Sequence, residues 1–213
     1  MRIFLDSEVM SQSANFGWQN KDLALYGLRE GYKSSADDLL DLALQKGDPK
    51  TLDTYIFPIL FSYRHCLEIS LKHIYLRCFS HIQCNGHNLL DLWDKVKKDV
   101  IDDFINSQSA INEVKAYKES FVPYSFNDIS FHKIRDLLKE LQEANQQNIE
   151  RTNPSKRQTD ENADVWRYLI TTDENLYFTC SHSIDYLALK ESIGYLYDVF
   201  EFVFHIADSY LSS

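Results

Sequence analysis

From residue 20 onward the apolar positions recur at alternating intervals of three and four, the pattern of helices with one buried face. In the first run, over 20–45, Leu25, Leu28, Tyr32, Ala36, Leu39 and Ala43 share a face. Gly27 and Gly31 each weaken this helix by about 1 kcal/mol relative to Ala, so packing has to hold it. Gly47-Asp48-Pro49 then stops it. A second helix over 52–79 carries Ile56, Ile59, Leu60, Tyr63, Leu67, Ser70, Leu71 and Ile74 on its stripe. Its Pro58 is tolerable in a first turn and kinks the helix anywhere later. Beyond Asn85-Gly86, a third helix over 88–106 turns Leu89, Leu92, Trp93, Val96, Val100 and Phe104 inward.

Periodicity fades over 107–130, where one weak helix broken near Pro123 is expected, anchored by Phe121, Tyr124 and Phe126. Asp128 or Ser130 caps a fourth helix that reaches about 145 and carries Ile134, Leu137, Leu138 and Leu141. Residues 145–164 have almost no apolar side chains, which predicts a mobile loop. Two β-like runs, 165–171 and 176–180, flank Thr172-Asp173-Glu174-Asn175 and read as a hairpin. Ser183 or Asp185 caps a long last helix, in which Tyr186, Leu189, Ile193, Leu196, Phe200, Val203, Ala207 and Tyr210 form one seam. Such a seam wants a partner helix, within the chain or in a second subunit. The expected fold is all-α: a bundle of about five helices with one small β-hairpin before the C-terminal helix. Residues 1–19 form an N-terminal arm and residues 20–213 a single domain.

Composition adds a bound on function. The chain has 213 residues, 44% hydrophobic and 25% charged, with 22 basic against 32 acidic groups for a net charge of −10. That is the make-up of a soluble globular domain, and a pI near 5.1 disfavours a broad nucleic-acid-binding surface. The acidity is local. Residues 160–213 hold ten acids against Arg167 and Lys190, so the rest of the chain is nearly neutral and permits a confined RNA or nucleotide site. Asp6 interrupts any signal-peptide core, and no apolar run reaches the length of a membrane span. Four sparse cysteines fit a reduced cytosol better than a disulfide scaffold, so a cytoplasmic setting without membrane contact is expected.

The chemistry concentrates on the second helix, where Arg64, Glu68 and Lys72 stand four residues apart with His65 beside Arg64. One reading is a surface chain of ion pairs worth about 0.2–0.5 kcal/mol each. A sharper one is a cleft in which Arg, His and Glu bind and transform a phosphate ester. A third has Arg64 and Glu68 tying helices together at a buried seam. His87 either belongs to the turn capped by Asn88 or faces the Arg64 stripe from the next helix. Arg167, between Trp166 and Tyr168, either stacks on those rings, pairs with an acid of the last helix, or adds a cation to a pocket. Cys78, His81, Cys84 and His87 march three apart over ten residues. Zinc sites usually join two pairs from separate elements, so a helix end and its loop is the better reading, with no metal and no cofactor expected. His132, His182 and His205 are taken as surface or core residues.

The run Phe61-x-x-Arg64-His65-x-x-Glu68-x-x-Leu71-Lys72, followed by Gly86-His87-Asn88-Leu89-x-x-Leu92-Trp93, resembles a group of uncharacterised bacterial HEPN-like proteins. The stretch from Gly31-Tyr32 to Leu40 and the run Trp166-Arg167-Tyr168 are similar to the same group, so the resemblance spans most of the chain outside 1–20 and 107–130. It implies a helical bundle that forms a homodimer with a polar pocket at the seam. Many such proteins are metal-independent ribonucleases of toxin–antitoxin, anti-phage and CRISPR systems, and others are inactive binding or regulatory modules. Active members follow the Arg and its polar neighbour with a His that would fall at position 69, 70 or 71 here. Those positions hold Ile69, Ser70 and Leu71. The resemblance therefore implies a dimeric binding or regulatory protein of a bacterial defence or toxin–antitoxin system, lacking the standard catalytic His. Its partners would be a protein of the same system, or RNA or a nucleotide. The alternative is a divergent ribonuclease in which Arg64 stabilises the phosphorane and His65 or His87 moves protons, with Glu68 orienting one ring. Catalytic roles thus fall to Arg64, His65, Glu68 and His87, and binding roles to Lys72, His73, Asn88 and Arg167.

Overall fold

The computed structural model describes residues 11, 13–14, 16–17, 19–80, 86–105, 129–144, 163–178 and 181–212, with side chains described outside 103–105 and 209–212. Its helices are α1 (Lys21–Lys46), α2 (Pro49–Phe79), α3 (Leu89–Lys95), α4 (Phe131–Gln142), the single turn α5 (Val165–Tyr168) and α6 (Tyr186–Ser212). From Val96 to Ile105 the third helix continues with π-helical hydrogen bonding. Its wider turn brings Ile101 as well as Val96 and Val100 into the core.

Short polar side chains set the helix starts. Asn20, Asp48, Asn88 and Ser130 accept hydrogen bonds from first-turn backbone N–H groups of α1, α2, α3 and α4. Asp185 rather than Ser183 does so for α6, from Leu187 and Ala188. Gly47 closes α1 in the left-handed region at φ 63°, where a side chain would be strained. Because α2 begins at Pro49, Pro58 lies in its interior and not in its first turn, and the helix runs on through it.

The most continuously buried helix is the centre of the bundle. Between Ser62 and Tyr75, α2 has few residues that are not buried. Antiparallel α1 covers one side, since Asp37 meets Tyr63 while Asp22 meets His73. Parallel α6 covers another, joined by Tyr186 to the carbonyl of Leu52 at one end and by Arg77 to Asp208 at the other. The seam of the last helix is thus satisfied within the chain, with Ile193, Leu196, Phe200, Val203 and Ala207 buried. Trp93 stacks between Phe131 and Phe200, at ring-centroid distances of 6.2 and 5.6 Å, and locks α3, α4 and α6 together.

Two expectations are corrected. The buried face of α1 is rotated: Arg29 is 0% exposed while Leu28 is 46% exposed. The guanidinium of Arg29 pairs with Glu201 of α6 and lies 4.7 Å from the Phe204 ring centroid, so a charge occupies the place expected for Leu28. The second correction is the hairpin. Among the described residues no strand forms there; 165–168 is a helical turn, and one antiparallel bridge joins Ile170 to Leu176. Left-handed backbone at Leu169 (φ 57°) breaks the first extended run, while Glu174 (φ 61°) lies in the turn between the two. The expected helix over 107–130, with Phe121, Tyr124, Pro123 and Phe126, and the loop over 145–164 lie almost wholly outside the described residues. No described helix is long and apolar enough to cross a membrane.

Candidate functional site

Arg64, Glu68 and Lys72 pair in series along α2, at 3.3 Å for Arg64–Glu68 and 2.8 Å for Lys72–Glu68. They do not form a surface stripe, because Arg64 is 3% exposed and Glu68 2%. The loop before α3 and the end of α4 cover this face of the helix. One Nη of Arg64 donates to the backbone carbonyl of His87 at 2.8 Å and to Oε1 of Gln142 at 3.0 Å. The same Gln142 oxygen accepts from the backbone N–H of Leu89 at 3.0 Å. Three pieces of chain, α2, the start of α3 and the last residue of α4, therefore meet on one guanidinium and one amide.

Glu68 is the acceptor at the middle of this knot. Its Oε2 takes Arg64, and its Oε1 takes both Lys72 and Nδ1 of His87 at 2.8 Å. Burial pushes its carboxyl up, but the hydrogen bond and charge of Lys72, joined by His87, outweigh burial and hold it below the usual carboxylate range. An ionised carboxylate accepts without donating, so Nδ1 of His87 carries the proton, and in the neutral ring Nε2 keeps the lone pair. The His87 side chain is 49% exposed. The outcome is a half-exposed imidazole whose tautomer and tilt are set by a buried acid, an arrangement suited to accepting a proton or a ligand hydrogen bond.

His65 stands beside the knot in an aromatic niche, edge-on to Tyr32 at 4.6 Å and stacked with Phe61 at 5.7 Å. Burial lowers its pKa, and although Glu68 opposes this, Arg64, Lys72 and His87 add to it, so the ring is neutral at pH 7. The other expected ligand contacts disperse. His73, about two and a half turns beyond Arg64, is on the far side of α2. There its Nε2 lies 2.8 Å from Asp22 and its ring 4.4 Å from that of Phe204. Asn88 caps α3. Arg167 stacks over Tyr168 at 5.0 Å and reaches Asp164 at 3.5 Å, so its acid lies on its own turn and not on the last helix. Of the four zinc-competent residues, Cys84 and His81 lie outside the described residues. Among the described residues no group of three or more His, Cys, Asp or Glu is placed to hold a metal.

Gln142 is the residue that periodicity missed, although a signal was present. It falls four and eight residues beyond Leu138 and Ile134, so a polar side chain occupies the buried stripe of α4. Compared with protein-family models, curated proteins and solved structures, the chain matches none.

Proposed function

We propose that this protein is a HEPN-like binding or regulatory module, homodimeric and non-catalytic, of a bacterial defence or toxin–antitoxin system acting in the cytoplasm. One observation carries the reading: Arg64, the cation a phosphoryl-transfer site would need, is buried and engaged by Glu68, Gln142 and the His87 carbonyl. A guanidinium so held stabilises a fold, and freeing it for a phosphate would uncover Glu68 and Gln142 at a cost of several kcal/mol. The absence of a His at 69, 70 or 71 supports the same conclusion.

A second reading has its own observation, the Glu68-oriented and half-exposed His87. In a divergent ribonuclease, Nε2 of His87 would take the proton of a ribose 2′-hydroxyl as its oxygen attacks phosphorus. The 5′-oxygen would leave with a proton from a second acid. Incubation of the purified protein with total RNA, resolved on a denaturing gel beside His87→Ala, separates the two. Intact RNA, together with a homodimer in light scattering, supports the module; cleavage that His87→Ala abolishes overturns it.

A further inference from the structure

At the end of the bundle away from His73, the last turns of α4, the α5 turn and the first turns of α6 enclose a groove of about 380 Å³. Leu137 and Leu141 of α4, Leu189 and Ile193 of α6, and the rings of Trp166 and Phe178 line it. The two rings are 5.2 Å apart, and the chain between them carries exposed Tyr168 (57%), Ile170 (48%) and Leu176 (61%). Ile184, on the groove wall, and Leu187 beyond it are also exposed. These exposed large apolar side chains border a concave apolar site of ligand-binding size.

The charged side chains that line the groove have one sign. Its lining includes the carboxylates of Glu140 and Asp185 and no Lys or Arg. Over 163–191 five acids, Asp164, Asp173, Glu174, Asp185 and Glu191, face two bases, Arg167 and Lys190. Both bases are paired, Arg167 with Asp164 and Lys190 with Asp41. An apolar trough with an acidic rim is complementary to a helix that carries an apolar stripe and basic flanks.

We propose that this groove is the docking site for a basic amphipathic segment of a partner protein. The proposal rests on the reading of the chain as a binding module and names the chemistry of what it binds. The partner's apolar side chains fill the space between Leu137, Ile193 and the Trp166–Phe178 pair, and its Lys or Arg residues meet Glu140 and Asp185.

The test uses the full chain and a fluorescein-labelled Leu/Lys peptide with all its Leu on one helical face, read by anisotropy. Expected is saturable one-to-one binding that weakens with salt and weakens about tenfold or more in Ile184→Arg and in Glu140→Lys. A scrambled peptide of the same composition, and a Leu/Glu peptide of the same pattern, should each bind at least about tenfold more weakly. Both substituted positions are exposed, so circular dichroism should match wild type. Equal binding of the scrambled peptide, undiminished binding to Ile184→Arg, or no binding at all overturns the proposal. So does a homodimer that Ile184→Arg converts to monomer, because the groove would then belong to a second copy. Failure here leaves the module reading intact, whereas RNA cleavage lost on His87→Ala removes that reading and leaves the peptide result standing.

Discussion

Replacing Glu68 by Ala removes the acceptor on which three donors converge, and the cost depends on how deeply each donor is buried. Lys72 and His87 have side chains 18% and 49% exposed, so both can turn toward water at little expense. Arg64, at 3% exposure, cannot, and keeps Gln142 and the His87 carbonyl without a counter-charge. Removing one partner of a buried pair costs about 3–5 kcal/mol. For a chain of this size each kcal/mol lowers Tm by about 2–4 °C, so Glu68→Ala should melt about 6–20 °C below wild type. Urea unfolding followed by circular dichroism should give the same loss with an unchanged m-value. The double variant Arg64→Met with Glu68→Leu removes both charges and should recover most of it, as buried pairs replaced by apolar groups of similar size often do. A loss below about 1 kcal/mol would place the pair with ordinary surface bridges and refute the buried knot. A double variant no more stable than Glu68→Ala would show that stranded Arg64 charge is not the cause.

Three further outcomes follow from the same contacts. Gln142→Ala deprives Arg64 and the Leu89 N–H of one shared acceptor and should cost about 2–4 kcal/mol in the same urea assay, against near zero for the neighbouring surface change Glu140→Ala. Gly47→Ala forces a β-carbon into backbone at φ 63° and should lower stability by about 1–2 kcal/mol. For pH, His65 has a folded pKa below its unfolded value of about 6.5, so its stabilising share is present above that pH and is lost as pH falls through it. Acidification from about pH 7.5 to 5.5 should therefore cost wild type more urea stability than it costs His65→Phe, which keeps the ring packing against Tyr32 and Phe61. Equal losses in the two proteins would contradict the neutral, desolvated His65.

The helices and most of their caps were legible because both are local: an apolar period and a short side chain in the right place. What lies against a helix is not local. The stripe of α2 was evident, yet the sequence left open whether Arg64 and Glu68 lie on a surface, in a cleft or at a buried seam, because their cover comes from Gln142, seventy-eight residues from Arg64 in sequence. The error at Leu28 and Arg29 has the same origin, since the partner that makes Arg29 tolerable inside is Glu201, on the last helix. At the expected hairpin the turn was placed correctly: Thr171 and Asn175 are hydrogen bonded across it. The β-branched and aromatic residues on either side nevertheless formed a helical turn and a single bridge. Of the expected site, Arg64, Glu68, Lys72 and His87 converge and His65 stands beside them, because four-residue spacing and one loop suffice to bring them together. His73 and Arg167 were grouped with them by proximity in sequence and by motif, and the packing sends each elsewhere.

The central claim is that the knot of Arg64, Glu68 and His87 is a structural element of the bundle and does no phosphoryl chemistry. The most direct measurement is a single-turnover assay of the purified protein on labelled RNA, with His87→Ala alongside. The account predicts that wild type and variant leave the RNA equally intact. Wild-type cleavage that disappears in a folded His87→Ala protein would contradict it.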